Sequence, residues 1–181
     1  MDRGHVVRGA AGHVAEVGLS PIAPTDRHSC GVDGAWEAYC SGRGIAGFVR
    51  ERLEEDDRES TLRTTEELTA KDVLAAERAE DPVANEYVDR ISRYNAAGFG
   101  TIVNAYNPDM ITVGGGVGHS NFETLRERMV PHLERFALPA IPPIEPAGLG
   151  DEIGLYGALA PFADGIDVGT AASTVAASTD D

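Results

Sequence analysis

Ile111-Thr112-Val113-Gly114-Gly115-Gly116-Val117 reads as a short apolar strand that runs into three glycines and then into a helix. β-Branched residues favour extended backbone. Glycines reach positive φ and carry no side chain, so a ligand can lie against bare backbone at such a turn. Amides at the start of the following helix attract anions or polar edges. A tight turn with no ligand is the plain alternative. The segment is not a Walker loop, because no Gly-Lys-Ser/Thr follows, and it is not the dinucleotide fingerprint.

Upstream, Asp81-Pro82 opens a helix with Pro in the first turn, and the sequence carries it to Tyr106. Val83, Tyr87, Val88, Ile91, Tyr94, Ala97, Ile102, Val103 and Tyr106 recur at three- and four-residue steps, so one face is buried. Gly98 and Gly100 either permit close packing there or mark a break, and Asn107-Pro108 ends the helix. Thr69 is an N-cap for a helix over 70–80. Residues 54–59 are a solvated charge run, preceded by helices over 35–40 and 45–54 with a stop at Ser41-Gly42. Residues 27–34 form a polar loop. Before it, Val6-Val7 and 14–22 are expected as short strands joined by glycine turns at Gly9 and Gly12. Residues 110–113 form a short buried strand ahead of the glycines. Downstream come a helix over 121–136, a strand over 141–144 in a Pro-rich stretch, and a helix over 151–163. Residues 164–181 read as a disordered acidic tail. The order of elements is that of an α/β layered domain over 1–163.

The chain has 181 residues, enough for one domain with a real core, and a formal charge of −15. Such a surface repels nucleic-acid backbones. Lys71 is the only lysine and the other 14 basic residues are arginines. Dense carboxylates with almost no lysine suit a salt-rich cytoplasm, where screening weakens self-repulsion. An ordinary acidic bacterial protein is the alternative. The amino terminus has no long apolar stretch, and no apolar run approaches the ~20 residues that cross a bilayer. The expectation is a soluble, cytoplasmic protein with no membrane or nucleic-acid partner. Cys30 and Cys40, the two cysteines, do not make a disulfide framework.

Two further segments carry possible chemistry. Glu16 sits among Val14, Val17 and Leu19, where a carboxylate is either solvated or placed to accept hydrogen bonds from a polar ligand. In His28-Ser29-Cys30-Gly31-Val32-Asp33-Gly34-Ala35-Trp36-Glu37, His28 and Cys30 could be half of a metal site, although a structural zinc wants four ligands. Glu37 begins a short helix beside Trp36. It either meets a polar ligand or favours the positive helix end.

The order of these segments resembles the ROK (repressor, open reading frame, kinase) family. Val14-Ala15-Glu16-Val17-Gly18-Leu19 falls on its Ala-Gly-Glu-x-Gly-His segment, and residues 28–37 fall on its Cys-x-Cys-Gly-x-x-Gly-Cys-x-Glu zinc loop. Ile111 to Val117 falls on its adenosine-side glycines, and Gly148 to Ala160 on its closing helix. The resemblance implies a ribonuclease-H-like, actin-like ATPase domain of the sugar kinase and hexokinase superfamily. It also implies the carboxy-terminal half only, truncated at the amino terminus. It implies an ATP-dependent hexose kinase, most like glucokinase, with magnesium, moving the γ-phosphate to the sugar 6-hydroxyl. Glu16 and Glu37 would accept hydrogen bonds from sugar hydroxyls, charge-assisted bonds being strong. Gly114, Gly115, Gly116 and Val117 would line the adenosine pocket. Two departures stand out. The zinc and sugar His is Leu19 and the third loop Cys is Ala35, which leaves His28 and Cys30 as a degenerate zinc pair. The Asp-x-Gly-x-Thr loop, the Asn-Asp pair with the proton-taking Asp, and the Gly-Thr-Gly-like loop are not found in this sequence. No catalytic residue is therefore assigned, and the phosphoryl step is expected to need a missing amino-terminal half. Homo-oligomers are expected from an open sheet edge. A non-catalytic sugar sensor or transcriptional-regulator remnant of the same family is the alternative.

Overall fold

The computed structural model describes residues 9–159. Its spine is a 25-residue helix, α4 (Pro82–Tyr106), about 37 Å long at 1.5 Å per residue. Asp81 caps it by accepting from the Val83 and Ala84 amides, and Asn107 ends it in the left-handed region at φ 42°. The two glycines do not break it. A Cβ on Gly98 would stand 2.1 Å from the Trp36 ring, and one on Gly100 2.6 Å from Phe136 Cβ. Each gives up ~1 kcal/mol of helix propensity so that a neighbouring side chain can lie on the backbone.

The amino-terminal half of α4 packs with α1 (Glu37–Cys40), α2 (Gly42–Glu54) and α3 (Ala70–Arg78). Ile45 and Val49 of α2, Val73 and Leu74 of α3, and Val83, Val88 and Ile91 of α4 are almost wholly buried between them. Tyr39, Phe48, Tyr87 and Tyr94 add a set of tilted and edge-to-face rings. Ser41 caps α2, and Thr69 with Asp72 forms a capping box on α3.

The carboxy-terminal half of α4 carries a second cluster, where Ala96 and Val103 meet Phe122, Met129 and Leu133 of α6 (Phe122–Leu133). Two short parallel strands, β3 (Ile111–Val113) and β4 (Ile144–Pro146), pair Ile111 with Ile144 and contribute both to this cluster. The strand expected at 141–144 is therefore displaced toward 144–146, because Pro142 and Pro143 have no amide to give a ladder. Only Ile111 of the expected 110–113 strand is buried, and Met110 is exposed. The helix expected over 121–136 forms as α6 and stops three residues early, at Leu133. A separate short helix not expected from the sequence, α5 (Gly116–Ser120), precedes it and ends at Asn121, whose buried side chain donates to the Val117 carbonyl and accepts from Arg78.

Residues 14–22 are not a strand. Ala15 takes φ 56°, residues 17–19 form a 3-10 turn, and Pro21 makes only an isolated bridge to Ala35. The polar loop is in fact a hairpin of β1 (His28–Ser29) and β2 (Val32–Asp33). The last helix, α7, spans Ile153–Leu159 after a 3-10 turn. Val6-Val7, the rest of the helix expected to 163 and the tail from 164 lie outside the described residues. No helix among the described residues is long and apolar enough to cross a membrane.

Candidate functional site

Glu37 and the triple glycine, distant in sequence, share one cavity of about 460 Å³. The route from sequence to that meeting is short. Ser41 closes α1 and caps α2, so the first residues of α2 sit directly beside Glu37. A Cβ on Gly42 would be 3.3 Å from a Val117 methyl, which brings the start of α5 against the start of α2. Gly115, at φ 84°, turns the chain from β3 into α5, and the Cβ directions of Gly115 and Gly116 point into open space. Glu37 therefore stands on one wall of the cavity and bare backbone on the other.

A second cavity of about 1150 Å³ is shared by Glu37, Ser41, Gly42, Gly116 and Val117. Its wall carries Arg43 and Lys71, together with Arg27 and His28 from the hairpin side. The first turns of α2 and α3 also end there. This second space favours anions, while the first is mainly apolar, with Trp36, Phe99, Leu125 and Met129 in its lining.

The Glu37 carboxylate accepts from the Ser29 hydroxyl. It lies so close to Gly18 that a Cβ there would be 3.1 Å from Oε2. Gly18 is thus the part of segment 14–19 that reaches the site. Glu16 does not. Its side chain is 57% exposed, it pairs with His13 at 3.5 Å, and it lines neither cavity. His28 and Cys30 sit on the exposed hairpin. The Cys30 thiol points at Glu37 Oε1 at 3.9 Å. No three His, Cys, Asp or Glu side chains among the described residues come together as metal ligands. Leu19, at the family's His position, and Ala35, at its third loop Cys, offer no side-chain donor atom. The residues present do not fit a structural zinc.

Sequence reading missed Trp36 and Asn95. The indole N–H donates to Asn95 Oδ1 at 2.9 Å, the ring meets Phe99 edge-on at 5.4 Å, and both side chains line the first cavity. The Gly98 gap in the apolar face of α4 was the one signal of a large side chain arriving there. Arg126, also on the cavity wall, gave no signal, being one of two arginines on a charged helix.

Comparison with known proteins gives the same arrangement a context. Glucokinase from Halalkalibacterium halodurans is 33% identical over 163 residues, covering 85% of this chain and 49% of the relative. A ROK hexokinase from Thermus thermophilus superposes with a TM-score of 0.72 at 27% identity, over 86% of this chain and 50% of that one. A ROK family glucokinase from Streptomyces griseus, solved with glucose and AMPPNP, gives 0.69 at 26%, over 81% and 50%. A ROK family transcriptional regulator, a homologue of the E. coli MLC protein, gives 0.65 at 28%, over 78% and 37%. The chain spans about half the length of the glucokinase it matches. The ROK family model matches residues 2–164, a span that takes in the hairpin, Glu37, the long helix and the glycine turn together. The α/β architecture is accordingly the actin-like fold of the sugar kinases, and the chain belongs to the ROK family.

Proposed function

We propose that this chain is the sugar- and adenosine-binding half of an ATP-dependent hexose kinase, with glucose as the acceptor. The carrying observation is the convergence of Glu37 with Gly114–Gly116 and Val117 on adjoining cavities. A carboxylate facing a cleft accepts from sugar hydroxyls, each of which is a donor, through charge-assisted bonds. Bare glycine backbone admits a flat purine, and Arg43 and Lys71, on the wall of the second cavity, would offer its phosphates positive charge. The likeness to a glucokinase solved with glucose and AMPPNP supports both ligands.

In the complete reaction the sugar 6-hydroxyl oxygen bonds the γ-phosphorus, ADP leaves, and the hydroxyl proton goes to a carboxylate. Magnesium, when bound with the nucleotide, neutralises phosphate charge. The residues described here bind and orient. The proton-taking Asp and the phosphate loops are assigned to the amino-terminal half of the kinase, joined to this one or supplied by another chain. The acidic, lysine-poor surface fits work at high salt, and a cytoplasmic location follows from the nucleotide. Glu16, outside both cavities, is not among the proposed sugar contacts.

A second reading, sugar sensing without phosphoryl transfer, draws on the likeness to the transcriptional regulator. Both readings place a hexose at Glu37. Trp36, the single tryptophan, adjoins that carboxylate and reports the encounter. Glucose should change its emission in the wild-type chain, and Glu37→Gln should abolish the change. No response at tens of millimolar glucose, in a chain shown to be folded, refutes both. Adding ATP with magnesium separates them, because a kinase half should bind the nucleotide at the glycine turn and a sensor should not.

A further inference from the structure

The loop that the ROK resemblance assigns to zinc is fastened by an arginine. Arg27 stands at the base of the hairpin, its side chain only 17% exposed. Its Nε donates to the Ala38 carbonyl at 2.6 Å and Nη2 to the Gly44 carbonyl at 3.0 Å. Nη1 pairs with Glu51 at 2.5 Å. The Ala38 carbonyl belongs to the end of a four-residue helix, where carbonyls lack partners along the helix itself. The guanidinium also lies 5.6 Å from the Tyr39 ring centroid. One planar fork thus joins α1, α2 and the hairpin, a task that a single ammonium cannot perform at three acceptors in these directions.

Two features of the sequence accommodate it. Gly47 lies in the middle of α2, where a Cβ would stand 2.6 Å from Arg27 Nη2, so the helix is stripped of a side chain where the guanidinium rests. The hairpin turn needs no outside brace. Cys30 and Gly31 take φ 50° and 79°, the left-handed pair of a tight two-residue turn, and the Gly34 amide closes the base on the Arg27 carbonyl at 2.8 Å. From that hairpin Ser29 donates to Glu37.

We propose that Arg27 is the positioning residue of this loop: it fixes the hairpin to α1 and α2 and, through Ser29, sets the Glu37 carboxylate, with no metal required. The inference concerns the hairpin and the carboxylate, and holds whatever ligand Glu37 meets. Failure of glucose to bind would sink the proposed function and leave it untouched.

The test uses the whole chain. Elemental analysis after gel filtration should show no stoichiometric zinc, and a chelator should leave the melting temperature unchanged. In Arg27→Met, amide exchange at Gly34 and Trp36 should quicken by roughly tenfold or more, as expected for losing buried hydrogen bonds to a charged group. The carboxyl carbon resonance of Glu37 in carbon-13-labelled protein should shift. Ser29→Ala should move that resonance alike at unchanged melting temperature, a response that a purely structural role for Arg27 does not produce. Arg27→Lys should restore the exchange protection only in part. If Arg27→Met fails to fold, Gly47→Ala, which crowds the guanidinium, should reproduce its effects. One tightly held zinc per chain, a melting temperature lowered by chelator, or an unmoved Glu37 resonance in a folded Arg27 variant overturns the proposal.

Discussion

Replacing Asp81 by Asn should destabilise the chain at neutral pH, and the deficit should shrink in acid. Asp81 is 8% exposed. Its Oδ1 accepts from the Val83 and Ala84 amides at 3.0 and 3.1 Å, and its Oδ2 from the Ser60 hydroxyl, the Thr61 amide and the Thr61 hydroxyl at 2.9, 2.9 and 3.0 Å. Burial pushes the carboxyl up, but the hydrogen bonds from Ala84, Thr61 and Ser60 outweigh it and hold the group at about 2, against an ordinary 3.8. That gap corresponds to roughly 2.5 kcal/mol in favour of the native carboxylate. The folded pKa lies below the unfolded one, so this stabilisation is full above about pH 4 and is lost as pH falls through about 2. An Asn can keep the Val83 and Ala84 bonds on its oxygen, but its NH2 then faces the Thr61 N–H, donor against donor. Urea unfolding of both proteins at fixed ionic strength should show a difference of roughly 2–3 kcal/mol near neutral pH that narrows toward pH 2. Other carboxylates titrate equally in the two proteins, so the difference isolates Asp81. A deficit that stays constant across that range, or none at neutral pH, refutes the reasoning.

Gly98→Ala gains about 1 kcal/mol of helix propensity, yet its Cβ would sit 2.1 Å from the Trp36 ring. The net effect should be a loss of about 1–3 kcal/mol from overpacking with a shift in Trp36 emission, and a stabilised variant would show that the ring does not rest there. A charged thiol reagent should modify exposed Cys30 in the folded chain and spare Cys40, whose thiol turns onto the Ile91 carbonyl at 3.6 Å and is pushed up by burial. Both should react in denaturant, and equal rates in the native state would contradict the packing of Cys40. With a formal charge of −15, raising salt from ~0.01 M to ~1 M shortens the screening length from ~30 Å to ~3 Å and should raise the melting temperature; a flat response would remove the argument for a high-salt habitat.

Elements governed by local rules were legible from the sequence. The bounds of α4 follow from a cap and a Pro at one end and Asn107-Pro108 at the other, and the Thr69 cap acts within three residues; Ser41, read as a stop, is also the cap that starts α2 at Gly42 rather than at 45. The three glycines after β3 announced a bare turn by composition. Two of the failures share one cause. Residues 14–22 carry apolar residues at strand-like spacing, but Val14 is exposed and Gly18 is pressed onto Glu37, so a contact from elsewhere in the chain chose the conformation. Gly98 gave a gap whose occupant no helical period could name, because the Trp36–Asn95 bond spans 59 residues. Only the tertiary structure put Glu37 beside the glycine turn while leaving Glu16 outside, and gave Arg27 its three acceptors. Caps, turns and amphipathic faces are written in neighbouring residues, whereas a cleft is formed by surfaces that meet only when distant helices pack.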